Sequence, residues 1–380
     1  MKNIKIIVFD CFSLKLERIW REFEKNTLDS PFQSFAWLNH WQNSIGSPLY
    51  LMKPQIIVIS NKEKVVAIFP MGINKSYGVL KLEWIGGVNS DYMGPILGKQ
   101  WGELTGDFQS YWNIAVKKMD LFDIIHLQKQ KKYIGMFPNP FISFEKFQNN
   151  VMSYQVEFNC EWKKHYEINI SKKLRADSSR QKRRLAEIGK LKFVIADTLA
   201  SKINIVNIMM RQKSRRYRDT NKWDMLAISE YKEFYKGLTE MNDQSLNIHY
   251  SELRIKDTVL ATHVGLVDQT TFYYLMPANE VGIWKKYSPG RILLEFLQEW
   301  STQNGLKVFD FTVGGEAYKK QWCNAETPLY ETLIASTFKG KIYLIIYNLK
   351  NSIKQVPWVE NKAKSFYTWL RNKKKYHFIK

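Results

Sequence analysis

The sequence predicts a mixed α/β protein with two domains. The chain has 380 residues, and at roughly 150 residues per domain this length favours two. Hydrophobic residues make up 45% of the chain and charged residues 24%, which provides enough apolar surface for a core and excludes a largely disordered protein. Short apolar runs that end at turn residues alternate with longer segments of helical period, so both strands and helices are expected throughout.

The first domain is predicted over residues 1–165. Its opening run IKIIVF at residues 4–9 is soon followed by charged residues, which indicates a first strand rather than a secretion signal. Ser34 is placed to cap a short aromatic helix. Residues 129–160 show no regular period and are predicted to be irregular. Further strands are predicted at residues 56–60, 65–71 and 81–87, the first two as a hairpin.

The second domain is predicted over residues 166–347 and is followed by a basic amphipathic tail over 348–380. Ser171 and Gly189 are the start and stop signals of a basic helix, and a second helix is expected to begin after Ser288. Strands are predicted at residues 193–197, 246–255, 258–267, 270–276, 307–312, 329–337 and 341–347, the last two closing the sheet.

The positive charge is concentrated in three segments. The chain carries 57 basic and 36 acidic residues, a net charge of +21. Residues 172–192 and 362–380 each contribute +7, and residues 211–222 contribute +5. A basic field of this kind attracts anions such as phosphorylated cofactors, nucleotide-sugars, acidic lipids or nucleic acid, although solvated helix faces have the same composition.

Several classes of site and location are disfavoured. The three cysteines, Cys11, Cys160 and Cys323, are far apart, so a disulfide framework is not expected and a reducing cytoplasm is the predicted location. No run approaches the 18 apolar residues of a membrane span. The six histidines form no H-x-H or H-x-x-x-H pair, so no metal site is expected, and there is no G-x-S-x-G elbow.

The run YSPGR at the start of the second helix has the chemistry of an anion site. A helix N-terminus presents unpaired N–H groups and a partial positive charge. Gly290 allows a close backbone approach, and Arg291 adds a charged donor beside Ser288. These three residues are the predicted diphosphate cradle, although the same pattern also suits a plain helix cap.

Five segments together resemble one protein family. They are YSPGRILLEFL, NGLKVFDFTVGGEAYKKQW, PFQSFAWLNHW, GGVNSDYMGPIL and HYEINISKKLRADSSRQKRRLAEIG. They are similar to GNAT-like acyltransferases of the cellulose- and polysaccharide-biosynthesis type, which are related to the Fem aminoacyl transferases. The resemblance covers about residues 30–335. It implies an N- or O-acyltransferase of two GNAT-like domains in tandem, each a mixed, mainly antiparallel sheet flanked by helices.

The resemblance also implies acetyl-CoA or another acyl-CoA as the donor, with no metal. Ordinary GNAT enzymes open the diphosphate helix with Gln/Arg-x-x-Gly-x-Gly/Ala. Here Tyr287 stands at the first of these positions and Ile292 at the last. An acyl carrier protein and an aminoacyl-tRNA therefore remain as alternative donors.

Acyl transfer requires a base for the acceptor and a proton for the leaving group. His263 is a candidate base, or else a core histidine. Asp310 lies within the apolar run KVFDFT and is either a tuned acid/base or a structural hydrogen-bond anchor. After the Gly-Gly turn, Tyr318 is a candidate proton donor, Lys319 a contact for an anionic acceptor, and Glu316 a residue that orients either.

The expected acceptor is an amine or hydroxyl of a sugar nucleotide or glycan intermediate in polysaccharide or cell-envelope biosynthesis. Two other readings remain. In the first, the protein is a Fem-like enzyme that uses aminoacyl-tRNA as its donor. In the second, it is a non-catalytic protein that binds nucleic acid through the basic segments, with an affinity that depends on salt. In the tail, aromatic residues beside lysines over 362–380 suit either a peripheral contact with anionic lipid or plain solvation.

Overall fold

The computed structural model of the protein describes residues 4–27, 29–104, 108–144 and 147–354. The predicted lipid contact at 362–380 therefore lies outside the described residues. Among those that are described, no helix combines the length and apolar character needed to span a membrane.

The chain forms mixed α and β structure along its whole described length. The first part contains, in order, β1 (Ile4–Phe9), α1 (Leu14–Glu24), α2 (Phe35–Trp41), α3 (Ser47–Tyr50), β2 (Lys53–Pro54), β3 (Ile56–Asn61), β4 (Lys64–Phe69), β5 (Met71–Ser76), β6 (Val79–Trp84), β7 (Ile96–Leu97), α4 (Phe108–Val116), β8 (Ile124–Gln130), β9 (Tyr133–Ile134), β10 (Phe137–Pro138) and β11 (Phe147–Glu157). The second part contains α5 (Trp162–Asn169), α6 (Lys172–Ile188), β12 (Leu191–Ile195), α7 (Leu199–Asp219), α8 (Ser229–Glu240), β13 (Asn247–Ile255), β14 (Thr258–Val267), β15 (Thr271–Asn279), α9 (Pro289–Gln303), β16 (Val308–Val313), β17 (Ala325–Ala335) and α10 (Phe338–Lys354).

One large sheet joins the two parts of the chain. Its strand order is β12-β13-β14-β15-β16-β11-β17-β8-β6-β5-β2, so β11 lies between two strands that follow it by 150 residues or more. Among the described strands of this sheet, only the β15–β16 and β6–β8 pairs are parallel. A smaller antiparallel sheet has the order β1-β3-β4-β7, and β9 and β10 form a short pair. The mainly antiparallel sheets flanked by helices confirm the predicted fold class.

Local capping explains why the helix starts were predictable. The Ser34 hydroxyl accepts a hydrogen bond from the Trp37 amide at 3.2 Å, and the Ser171 hydroxyl accepts one from the Leu174 amide at 3.3 Å. Gly189 follows the last residue of α6, as expected. Each cap depends only on residues within one turn, which is why sequence reveals it.

Two predicted segments are wrong. Residues 129–160 are not irregular, because they contain the 11-residue strand β11, in which the Ser153 hydroxyl and the Gln155 amide donate hydrogen bonds to neighbouring strands of the sheet. Residues 341–347 do not form a closing strand, because they belong to the helix α10. Tyr343, Leu344 and Tyr347 turn toward the sheet at helical spacing, and both faces of α10 are apolar, which hid the helical period.

The hydrophobic core also crosses between the two parts of the chain. In the largest cluster, Trp20, Trp37 and Trp41 from the first part pack with Met209 of α7 and Phe234 of α8. The ring centroids of Trp37 and Phe234 lie 5.2 Å apart, edge to face. A second cluster under α9 contains the apolar faces of β14, β15 and β16. The sheet is therefore covered by α7 and α8 on one face and by α9 on the other.

Candidate active site

The site begins where β15 and β16 separate. Their parallel pairing runs from Thr271 opposite Val308 to Tyr273 opposite Asp310 and ends there, although β15 continues to Asn279. The start of α9 lies beside the end of β15, since a Cβ added at Gly290 would lie 3.0 Å from the Asn279 Oδ1. A helix N-terminus is thus placed at the open end of two diverging strands.

The structure places the three predicted cradle residues at this helix start, in unequal roles. Ser288 has left-handed backbone (φ 50°), and its side chain makes no capping hydrogen bond. The Arg291 guanidinium donates a hydrogen bond to the Asp177 carboxylate on α6, and this contact is the main cause that lowers the pKa of Asp177. Arg291 therefore ties α9 to α6. The Ser288 N–H donates a hydrogen bond to the Lys285 carbonyl at 3.1 Å, so the backbone N–H of Gly290 is the group proposed to meet an anion.

A cleft of about 210 Å³ lies on the other face of the sheet, beneath α7 and α8. Residues from both parts of the chain form its walls, so neither part has the cleft alone. Its polar and aromatic lining comprises Trp37, Asn89, Asp91, Lys213, Tyr217, Tyr235 and Glu316. We call this the central cleft.

Lys213 is the cation inside the central cleft. It is partly buried, its Nζ donates a hydrogen bond to the Pro277 carbonyl at 3.0 Å, and it lies 5.7 Å from the centre of the Tyr217 ring. Burial, helped by the nearby Arg216, lowers the pKa of Lys213 to about 8. A lysine in this range exchanges protons close to neutral pH.

Glu316 and Lys319 form one unit at the end of β16. The Lys319 Nζ donates to the carbonyls of Phe311 and Val313 at 2.9 and 3.0 Å and lies 3.1 Å from the Glu316 Oε2. Burial is the largest single effect and acts to raise the pKa of Glu316, but the charge and hydrogen bond of Lys319, with smaller contributions from a backbone hydrogen bond and Lys222, together lower it. Lys319 is buried and fully engaged, so it positions Glu316 and is not open to an acceptor.

Gly314 is required for this arrangement. Its φ of 138° is accessible mainly to glycine, and an added Cβ would lie 2.8 Å from the Lys319 Nζ. Tyr318 follows, with its ring 6.2 Å from that of Phe311. Burial, reinforced by the Glu316 charge, raises the pKa of Tyr318. Tyr318 is therefore protonated at neutral pH.

His263 lies away from the central cleft. Its side chain points to the α9 face of β14, where it stacks on Tyr274 with 4.6 Å between ring centroids. It is fully buried, and neither ring nitrogen has a hydrogen-bond partner among the described residues. Burial lowers its pKa well below the usual value, with a smaller contribution from His249. Because His263 lies outside the central cleft, we do not propose it as the base.

Asp310 is the centre of a buried hydrogen-bond network. The Tyr92 hydroxyl lies 2.7 Å from its Oδ2, the Gln155 amide donates to the same oxygen at 3.0 Å, and the Thr312 N–H donates to Oδ1 at 2.7 Å. Burial raises its pKa to about 6 in spite of these donors. Its contacts are those of a structural anchor, and it does not line the central cleft.

Sequence reasoning missed the residues that complete the cleft. Lys213 was grouped with a basic run, although it follows the buried Met209 and Met210 by four and three residues and so lies on the inner face of α7. That spacing was the available signal. Asp91 lies in the turn GGVNSDYMGPIL of the sequence. Within the described ranges, no group of three or more His, Cys, Asp or Glu side chains is arranged to hold a metal ion.

Comparison with protein-family models identifies the region that forms this site. Residues 172–320 match a model described as Acetyltransferase (GNAT) domain. This stretch is similar to a GNAT acetyltransferase domain, and we call it the GNAT-like domain. The GNAT-like domain includes β15, α9, β16 and most of the central cleft. No curated protein sequence matches the chain.

Solved structures share the fold over most of the chain. FemX has a TM-score of 0.57 at 10% identity, covering 87% of this chain and 97% of its own. A protein of unknown function from Bacteroides thetaiotaomicron has 0.52 at 12%, covering 87% and 100%. L-PGS from Bacillus licheniformis has 0.50 at 11%, covering 87% and 95%. At these identities the similarity shows a shared fold and nothing beyond it.

Proposed function

We propose that this protein is an N- or O-acyltransferase that moves an acyl group, acetyl in the simplest case, from a thioester donor to an amine or hydroxyl of an anionic sugar derivative. The observation that carries the proposal is the central cleft. It brings Lys213 and Glu316 together beside the diverging strands of the GNAT-like domain.

The cleft has the groups that this reaction needs. The acceptor attacks the thioester carbonyl, the acceptor's proton leaves, the C–S bond breaks, and the thiolate takes up a proton. Glu316 is ionised and is the proposed proton acceptor, supported by Lys319. Tyr217 lines the cleft and is protonated, since burial raises its pKa to about 12, and it is the proposed proton donor to the thiolate. Tyr318 is also protonated but packs on Phe311 outside the cleft lining, so it is not the proposed donor.

The proposed acceptor is a sugar nucleotide or a glycan intermediate of polysaccharide biosynthesis. Aromatic rings bind the apolar faces of sugars, and Trp37, Tyr217 and Tyr235 line the cleft. Asn89 and Asp91 add hydrogen-bonding groups for hydroxyls. The Lys213 cation favours an acceptor that carries negative charge.

The donor is tested first, by thermal-shift titration with acetyl-CoA, a longer acyl-CoA and free CoA. A saturable rise in the melting temperature of the parent is expected, and Gly290→Glu should abolish it by placing a negative charge at the start of α9. Leu199→Glu, an exposed change at the start of α7, is the matched control and should retain the shift. If no CoA compound shifts the parent, the CoA proposal fails, and acyl carrier protein is the next donor to test.

An aminoacyl-tRNA donor is the second candidate. The structural similarity to FemX and to L-PGS supports it. An exposed basic surface supports it as well, formed on α6 by Lys172, Lys173, Arg180, Arg183 and Arg184. Turnover that requires charged tRNA and stops after ribonuclease treatment would favour this donor over a thioester. Salt-sensitive RNA binding without turnover of either donor would instead support the non-catalytic reading.

A further inference from the structure

The helix α10 has two apolar faces, and only one of them is covered by the residues that the structure describes. Its inner face packs on β6, β8 and β17 through Leu344, Tyr343 and Tyr347. The Tyr347 hydroxyl donates a hydrogen bond to the Glu331 Oε1 at 2.7 Å, and the Lys81 Nζ donates to the Tyr343 hydroxyl at 2.8 Å. These contacts fix which face of the helix points outward.

The outward face is a stripe of large apolar side chains. Its members recur at helical spacing and are between 46% and 77% exposed: Phe338, Ile342, Ile345, Ile346 and Leu349. We call them the outer stripe. Leu121 is also 89% exposed. It lies near the start of α10, since Asp123, two residues later, accepts a hydrogen bond from Thr337 just before the helix. A contiguous exposed surface of this kind marks an interaction site.

The charge that α10 itself places beside the outer stripe is positive, and one of its lysines, Lys339, lies 3.6 Å from the Asp123 Oδ2. Lys339 and Lys341 stand on either side of it at the 100° step of the helix. The sequence of α10 contains four lysines and no acidic residue, and residues 362–380 contain seven basic residues and none acidic. A partner that complements the outer stripe therefore has an apolar interior and a negatively charged surface.

We propose that the outer stripe docks α10 on a membrane that contains anionic lipid. An amphipathic helix with basic flanks lies in the plane of such an interface, with its apolar side chains among the acyl chains and its lysines at the headgroups. This inference does not depend on the proposed transferase activity.

A second copy of the chain fits the outer stripe less well. From Phe338 to Leu349 the stripe is about 17 Å long at 1.5 Å per residue and about one helix wide, roughly 10 Å. That area is well below the roughly 800 Å² per partner of a stable interface. Pairing two copies would also bring their lysines together, a repulsion that an anionic bilayer turns into attraction.

The test is sedimentation of the full-length chain with vesicles of phosphatidylcholine, with and without 30% phosphatidylglycerol. The parent should bind the anionic vesicles at least tenfold more strongly than the neutral ones. Ile342→Glu with Ile345→Glu should reduce that binding at least tenfold. Leu14→Glu with Leu199→Glu is the matched control, because it makes the same charge change at exposed apolar sites and should stay within twofold of the parent. Far-UV circular dichroism checks that both variants are folded.

Three results would overturn the proposal. The first is equal binding of the parent to neutral and anionic vesicles. The second is binding that survives in the outer-stripe variant and disappears only in 0.5 M salt, which would assign the contact to basic residues alone. The third is a parent dimer in light scattering that the outer-stripe variant dissociates while neither protein binds vesicles, which would assign the stripe to a second copy.

Discussion

The Tyr92 hydroxyl donates a hydrogen bond to the carboxylate of Asp310, 218 residues further along the chain. Both residues are almost fully buried, and Gln155 on β11 contacts the same carboxylate. Three distant segments thus meet at one ionisable group. This contact joins the turn after β6 to the strand that leads into the site.

Tyr92→Phe is expected to destabilise the protein by about 1.5–3 kcal/mol. The change removes a buried donor to a carboxylate while the ring remains in place. Tyr273→Phe is the comparison, because its hydroxyl bonds to the less buried Asp268 at 2.8 Å, and a smaller loss is expected. Urea unfolding measures both. Equal losses of unfolding free energy would mean that the hydrogen bond to Asp310 stabilises the protein no more than the hydrogen bond to Asp268.

Gly314→Ala should impair both stability and turnover, whereas Gly315→Ala should leave them nearly unchanged. The first variant forces a Cβ into a backbone with φ of 138° and against the Lys319 ammonium, while the space at Gly315 is open. We expect a cost of about 1–3 kcal/mol for Gly314→Ala. Chemical unfolding measures stability, and steady-state kinetics measure turnover. If the two variants behaved alike, the described position of Glu316 beside Lys319 would be wrong.

Lys213 should make stability rise with pH in the alkaline range. Its folded pKa of about 8 lies below the unfolded value near 10.5, so between these values the unfolded chain holds a proton that the folded chain has released. The free energy of unfolding therefore gains from this residue as the pH rises from about 8 to about 10. Lys213→Met should lack that gain. Parallel stability profiles of parent and variant over this range would contradict the burial of the ammonium.

His263→Phe should retain transferase activity and resist acid better than the parent. The folded pKa of His263 lies well below the unfolded value of about 6.5, so the unfolded state takes up a proton as the pH falls and stability is lost. Removing one such histidine should reduce the loss between pH 7 and pH 5 by about 2 kcal/mol. Chemical unfolding at the two pH values measures this. Loss of activity in a folded variant would restore His263 as a candidate base.

The structure was predictable from sequence where its determinants are local. Ser34 and Ser171 cap helices through bonds within one turn, and the turn at Gly314 lies in a short recognisable run. β11 was missed because a polar residue such as Gln155 has its partner, Asp310, far away in the sequence. Lys213 was missed because its role depends on which face of α7 meets the sheet. The site therefore had to be assembled from contacts that no single window of sequence contains.

The position of β11 in the chain also means that this strand is synthesised long before the strands that pair with it. Residue 147 on β11 pairs with residue 332 on β17, about 185 residues later. At a synthesis rate of about 5–20 residues per second, β11 emerges roughly 10–40 s before that partner exists. During this interval both edges of the strand lack their final neighbours. The polar residues that obscured β11 in the sequence also limit its tendency to aggregate while it waits.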